Sequence, residues 1–283
     1  MARALVLGSG AALPARGRFN TSLAIMEGAR TLLLDCAQPA SELLYHHGVD
    51  YTSVDIIVLT HMHADHVTGL GQLLHMKHHF IDCVAPRALL DREKTLFKGR
   101  LRYPPQDKWN DVNPWVNIYV PEGVEEVIKQ YLRAIYMRPE VFTNFKIDVL
   151  PLRSGTFYRD NDFRVTAYPN AHIREYYPEL SGTDAVLSSY SILVECGRRK
   201  LLYSSDLASL TEIEPLVADA DVVFIEGAHF PPSQILDFVR KHSLKRVFIH
   251  HILATREEEI ATLREELLKH NVTPTKDGLE LEI

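Results

Sequence analysis

Apolar and polar positions follow two rhythms along this chain. Short apolar runs with no polar face, or with strict alternation, read as strands. They are ARALVLGSG at the start, SLAIMEGARTLLLDC as two strands joined by a turn near Glu27 and Gly28, and VDIIVLT. Later runs around KIDVLPL, FRVTAYP, YSILVEC and KLLYSSD suit antiparallel strands, and ADVVFIE and KRVFIHH close the series. Between them, PASELLYHHGV, VTGLGQLLHMKHHF, PEGVEEVIKQYLRAIY and PSQILDFVRKH carry helical spacing. A final helix is expected to open on a capping box from Thr255 to Glu258.

From about Asp91 to Asn117 both rhythms stop. That stretch holds three prolines, both tryptophans and a crowd of charges, and reads as a long excursion. Its start is basic, with Arg92, Lys94, Lys98, Arg100 and Arg102 against Asp91 and Glu93, and Tyr103 and Trp109 follow. A solvated face serving as a lid or a dimer arm suits it better than a nucleic-acid contact. With no repeat or linker to divide the chain, the expectation is a single domain over 1–283.

Composition narrows the class. The chain has 283 residues, 46% hydrophobic and 24% charged, enough for a large core. A net charge of −6 from 31 bases and 37 acids argues against a protein that coats nucleic acid. Cys36, Cys83 and Cys196 are widely spaced and odd in number, which disfavours a disulfide framework or a thiolate zinc site. No apolar run reaches membrane-spanning length, and the expected setting is the cytoplasm, with no membrane partner.

The densest chemistry lies in THMHADH, residues 60–66, directly after a strand. In an extended segment positions i and i+2 point the same way, so His61 and His63 can hold one ion from one side. Asp65 and His66 follow where the chain turns into a helix near Val67, and can face a second ion. Other apolar runs also end in metal-capable residues: RVTAYPNAH in His172, KLLYSSD in Asp206, KRVFIHH in His250 and His251. Taken alone, His172 could be a loop histidine and Asp206 a helix cap; together with HxHxDH they suggest ligands delivered to one sheet edge. His75, His78 and His79 share a helix face but read as rim or surface histidines.

The ordered motifs THMHADH, AH at 171–172, YSSD at 203–206 and FIHH at 248–251 resemble the metallo-β-lactamase fold superfamily. That resemblance covers essentially the whole chain. It implies an α+β protein, a four-layer αβ/βα sandwich with the site at one rim. It also implies that His61, His63 and His172 bind one metal, that Asp65, His66 and His251 bind another, and that Asp206 bridges them. His250 remains an alternative last ligand; His251 is preferred because the family shows a Thr where His250 stands. The opening GSGAALP, NTSLAI and LLLDC resemble the branch of ribonuclease Z and related phosphodiesterases. VVFIEGAHF resembles that branch's Glu- and His-containing segment with its order changed, making His229 a candidate proton donor. Only residues 173–205, 33 in all, separate His172 from Asp206. That is too few for the tRNA-gripping arm of the short-form enzymes, so tRNA is not the expected partner.

These features point to a hydrolase with two divalent ions, zinc by preference with manganese or iron as alternatives. A shared water of lowered pKa would attack, with Asp65 orienting it and His229 or His250 protonating the leaving group. The expected substrate is a small molecule or short nucleotide: a cyclic nucleotide, a cyclic phosphate or RNA. A lactone, thioester or amide hydrolase, or a non-hydrolytic metabolite-binding protein, are the competing readings. A homodimer is compatible with the excursion. Cys36, closing LLLDC, reads as core.

Overall fold

A computed structural model describes residues 2–84 and 112–283. The first sheet is built from β1 (Arg3–Gly8), β2 (Ser22–Glu27), β3 (Arg30–Leu34), β4 (Val54–Val58), β5 (Trp115–Pro121) and β6 (Lys146–Leu152). The second contains β7 (Gly155–Arg159), β8 (Phe163–Asn170), β9 (Ser189–Cys196), β10 (Arg199–Tyr203), β11 (Val222–Glu226), β12 (Val247–His250) and β13 (Val272–Pro274). The last strand, β14 (Glu280–Glu282), returns to pair antiparallel with β1. Each sheet is mixed. In the first, β1, β2 and β3 pair antiparallel while β3 to β6 run parallel. The second repeats the scheme, antiparallel from β7 to β10 and parallel from β10 to β13.

Strand alternation sorts side chains between two cores, which is why these segments are apolar throughout. In β1, Ala4 and Val6 face the second sheet, where they meet a cluster including Val165, Ile192, Val194, Leu201 and Phe224. Leu5 and Leu7 face outward, onto a layer that includes Leu43, Leu44, Leu73, Leu74, Ile128 and Leu132. Those residues come from the helices α1 (Ala40–His46), α3 (Leu70–His78) and α4 (Glu125–Ala134); α2 (Ala64–Val67), between α1 and α3, is a single turn. The second sheet is covered likewise: Val223 and Ile225 of β11 pack with Ile235, Leu236, Val239, Ile260 and Leu267. Past the short α5 (His172–Tyr176) and α6 (Glu214–Val217), whose Val217 joins the same cluster, these belong to α7 (Pro232–His242) and α8 (Glu257–Lys269). Helix, sheet, sheet and helix form the αβ/βα sandwich that the motifs imply.

Several details differ from the expectation. Residues 91–111 of the excursion lie outside the described residues, but Trp115 to Asn117 begin β5, which pairs parallel with both β4 and β6. Its residues WVNIYVP sit between prolines and charges, which masks a strand that tertiary pairing stabilises. β7, β13 and β14 are also short strands without a sequence signal of their own. The box from Thr255 to Glu258 does not form. Residues Ala254–Arg256 make a 3₁₀ turn, α8 starts at Glu257, and no side chain caps it. A capping box does occur from Ser209 to Glu212, at the 3₁₀ turn that leads into α6. Asp206 therefore does not serve as that cap. Asp65 and His66 lie within α2 itself rather than in a turn before a longer helix. Among the described residues no helix is long and apolar enough to cross a membrane.

Candidate metal centre

Four strands of the two sheets end at one rim, and each delivers a histidine or aspartate there. Beyond β4 the chain is fixed by Asp35: its carboxylate accepts from the Thr60 backbone N–H at 2.8 Å and from the Thr60 hydroxyl at 2.9 Å. His61 follows, and His63 is the residue from which α2 begins. Beyond β8, the Ala171 N–H donates to Glu212 at 2.6 Å as the chain enters α5 at His172. Beyond β10, Ser205 adopts a left-handed φ of 52° immediately before Asp206. Beyond β12, His251 itself is left-handed at φ 52°. Asp35, Ser205 and His251 all hold this conformation, uncommon for residues with a Cβ and concentrated in proteins at functional sites.

All seven candidate ligands come together. His61 Nε2 lies 3.0 Å from His63 Nδ1, which lies 3.4 Å from His172 Nε2. Asp206 Oδ2 completes this first group, 3.8 Å from His61 Nε2 and 3.5 Å from His172 Nε2. Its other oxygen, Oδ1, lies 3.5 Å from His66 Nε2 and 3.0 Å from His251 Nδ1. Asp65 Oδ2 closes the second group, 3.8 Å from His66 Nε2 and 3.1 Å from His251 Nε2. Asp206 thus turns one oxygen to each group. His250 points elsewhere, its Nε2 hydrogen-bonded to the Thr21 hydroxyl. His75, His78 and His79 form no such group among the described residues: His78 stacks on Phe142, 3.9 Å between centroids, and bonds to Asp82. Cys36 is fully buried in the core, and burial pushes its thiol pKa up.

The donor set fits divalent cations. Ligands at 2.0–2.1 Å around a tetrahedral ion stand roughly 3.3 Å apart, close to the separations within each group. His66 Nε2 and Asp206 Oδ1 are buried with no hydrogen-bond partner, an arrangement that is expensive unless a cation satisfies both. Further, His66 donates Nδ1–H to Asp35 Oδ2 at 2.8 Å, which leaves Nε2 as the nitrogen turned to the cluster. Tyr203 donates to the same oxygen at 2.9 Å.

Electrostatics agrees. Burial and the neighbouring imidazoles hold His61 and His63 below the ordinary histidine range, and burial lowers His172 to about 4. All three therefore offer lone pairs at neutral pH. Burial pushes Asp206 up, yet His251 and His66 outweigh it and keep the carboxylate ionised. Burial would lower His66, but the charges of Asp206 and Asp35 raise it well above its usual value. So much buried negative charge is the field that a divalent cation neutralises.

Beside the two groups stands a pair of a different kind. His229 Nδ1 lies 2.8 Å from Glu226 Oε1, and the other oxygen of Glu226 accepts the N–H groups of Ala228 and His229 at 2.8 and 2.9 Å. Burial acts to lower the His229 pKa, but the hydrogen bond and charge of Glu226 prevail and raise it. His229, Asp206 and His251 all offer ligand atoms within 4.8 Å of one another, so the imidazole faces the cluster. Asp35 was visible in the sequence only as the polar end of LLLDC. Tyr176 and Tyr177, whose rings lie 5.0 Å from His172 and 5.7 Å from His63, carried no signal beyond their place after AH.

A sandwich of this topology, with two ligand groups sharing one carboxylate, defines a candidate two-metal site at the rim of the fold. Comparison with known proteins agrees. Residues 110–258 match the family described as "Beta-lactamase superfamily domain", and residues 2–97 match "Anti-Pycsar protein Apyc1". The chain belongs to the beta-lactamase superfamily. It is 27% identical over 167 residues to ribonuclease Z of Methanothermobacter thermautotrophicus, which covers 59% of this chain but only 43% of that one. With the anti-Pycsar protein Apyc1 of Bacillus phage 010DV004 it shares 26% identity over 267 residues, 87% of each chain. The metallo-β-lactamase fold protein YhfI of Bacillus subtilis has the same fold, with a TM-score of 0.69 at 16% identity, covering 100% of this chain and 99% of that one.

Proposed function

We propose that this protein is a two-metal phosphodiesterase that opens a small cyclic nucleotide. The observation that carries the reading is Asp206, placed between two ligand groups with one oxygen toward each. His61, His63 and His172 would hold one ion, Asp65, His66 and His251 the other, and Asp206 both. Nitrogen and oxygen ligands in this number suit zinc. Two divalent cations there would lower the pKa of a bound water and neutralise the charge of a phosphodiester. Asp65 would help hold the second ion and orient such a water, and its carboxylate is held below the ordinary range because His251 outweighs the effect of burial. His229, its Nδ1 engaged by Glu226, carries on Nε2 the proton that the departing alkoxide needs.

Two features favour a small substrate over tRNA. Residues 173–205 are occupied by most of α5, a 3₁₀ turn, β9 and β10, with no arm among them. The likeness to the anti-Pycsar protein, a relative that degrades cyclic nucleotides, runs over 87% of both chains, against 43% of the ribonuclease Z. The test is hydrolysis of 3′,5′-cyclic nucleotides by metal-loaded protein, with and without chelator, beside Asp65→Ala. Chelator-sensitive turnover that the substitution abolishes supports the reading; turnover of lactones or thioesters with none of any diester overturns it.

A further inference from the structure

Two adjacent tyrosines stand at the rim of the metal centre, and the hydrolytic chemistry has no use for them. Tyr176 ends α5, the helix that starts at His172, and Tyr177 follows. The Tyr176 ring lies 5.0 Å from His172 and 5.0 Å from His229, between a ligand of the first group and the proton donor. Yet Tyr176 is 54% exposed. The Tyr177 ring stands 5.7 Å from His63 and 6.2 Å from Tyr176, so two rings border the same opening.

The rings sit at the C-terminal end of α5. Glu175 and Tyr177 donate their N–H groups to Ala171 and Ile173 at 2.8 and 3.0 Å. Further along, Val186 packs into the outer core of the first sheet. An aromatic ring left open beside a charged centre, at the end of the helix that starts on a candidate ligand, is a surface that a bound ligand can cover. Exposed aromatic area on a loop tip would carry no such implication.

We infer that Tyr176, flanked by Tyr177, is the platform on which the substrate's nucleobase stacks while its phosphate occupies the metal centre. The inference rests on the phosphodiesterase reading and names the part of the substrate recognised outside the reacting bonds. In a cyclic nucleotide a planar base lies one sugar away from the phosphodiester, and every base has a π-face that an open tyrosine ring can cover. Stacking of this kind tolerates any base, so the site would favour nucleotides over base-free diesters and discriminate little between purines and pyrimidines.

The experiment compares metal-loaded wild type, Tyr176→Phe and Tyr176→Ala on a 3′,5′-cyclic nucleotide and on base-free ribose cyclic phosphate. Calorimetric binding of a nucleoside monophosphate and of ribose 5-phosphate gives a readout apart from turnover. Tyr176→Ala is expected to raise KM and Kd for the base-bearing ligands on the order of tenfold, leave the base-free ligands unchanged, and keep its metal content. Tyr176→Phe, which keeps the ring, should match wild type. Equal losses on both ligand classes, no loss on either, or a loss in Tyr176→Phe would overturn the inference and leave the phosphodiesterase reading standing. Absence of diester hydrolysis by wild type would overturn both.

Discussion

His66 and Asp35 are both completely buried, and the imidazole donates its Nδ1–H to the carboxylate across 2.8 Å. Asp35 is left-handed at φ 56° and also accepts from Thr60 and Tyr203, so it links the chain leaving β4 to the middle of the second sheet. Its effect on the site runs through His66, whose Nδ1 it engages so that Nε2 faces the cluster. Asp35→Asn removes the charge but keeps the shape. Metal affinity, measured by competition with a chromophoric chelator, should fall roughly 10- to 100-fold while circular dichroism stays unchanged. Unaltered affinity would mean that Asp35 only holds the backbone.

Asp206 is the residue shared by both groups, with 2% of its surface exposed. Replacing it by Asn leaves a neutral amide facing six ligands. Elemental analysis of Asp206→Asn should find at most about one tightly held ion where wild type holds two, with turnover reduced in step. An Asn variant that retains both ions at wild-type affinity would remove Asp206 from the bridging position.

The pair His229 and Glu226 makes a prediction in pH. Glu226 raises the His229 pKa against the opposing effect of burial, so the acid form persists above the ordinary value of 6.5. Activity that needs this proton is lost as pH rises through the raised pKa. Glu226→Gln lowers that pKa, and the alkaline limb of the kcat profile should move toward lower pH. His229→Ala should cut kcat by about 10²–10⁴ for an alkoxide leaving group and far less for p-nitrophenolate, which needs no proton. Equal losses on both leaving groups would point to damage of the metal centre instead.

Lys77 lies 1% exposed beneath the first sheet, donating to the carbonyls of Val54 at 2.7 Å and Trp115 at 3.1 Å. Burial lowers its pKa from 10.5 to about 7. Between those values the unfolded chain binds the proton and the folded one does not, so this group makes stability rise with pH across that window. Lys77→Met lacks the titration. From roughly pH 7.5 to pH 9.5 wild type should gain about 3 kcal/mol relative to the variant in urea unfolding. A pH-independent difference would show that the lysine remains charged in the fold.

Much of this was written in the sequence where side-chain type alone decides. β4, β11 and β12 are buried on both faces, so their apolar runs stand out, and THMHADH crowds four metal-capable residues into one strand end. The choice between His250 and His251 depends on a single left-handed φ, a property of the backbone that the letters HH do not carry. Asp35 acts on a histidine 31 positions away, and no local pattern joins them. β5 and β14 are strands because neighbours pair with them, and Trp115 or Glu280 alone gives no hint of that. Lys77, set between Met76 and His78 on a helix, is buried, and nothing in the letters HMKHH marks it as such.

The central claim is that two ions, shared through Asp206, act together on a phosphodiester. It is tested most directly by titrating metal-free protein with zinc while following hydrolysis of a 3′,5′-cyclic nucleotide. The account predicts little turnover up to one equivalent and a rise that completes near two. Full activity at one equivalent, or none from a protein carrying two, would contradict it.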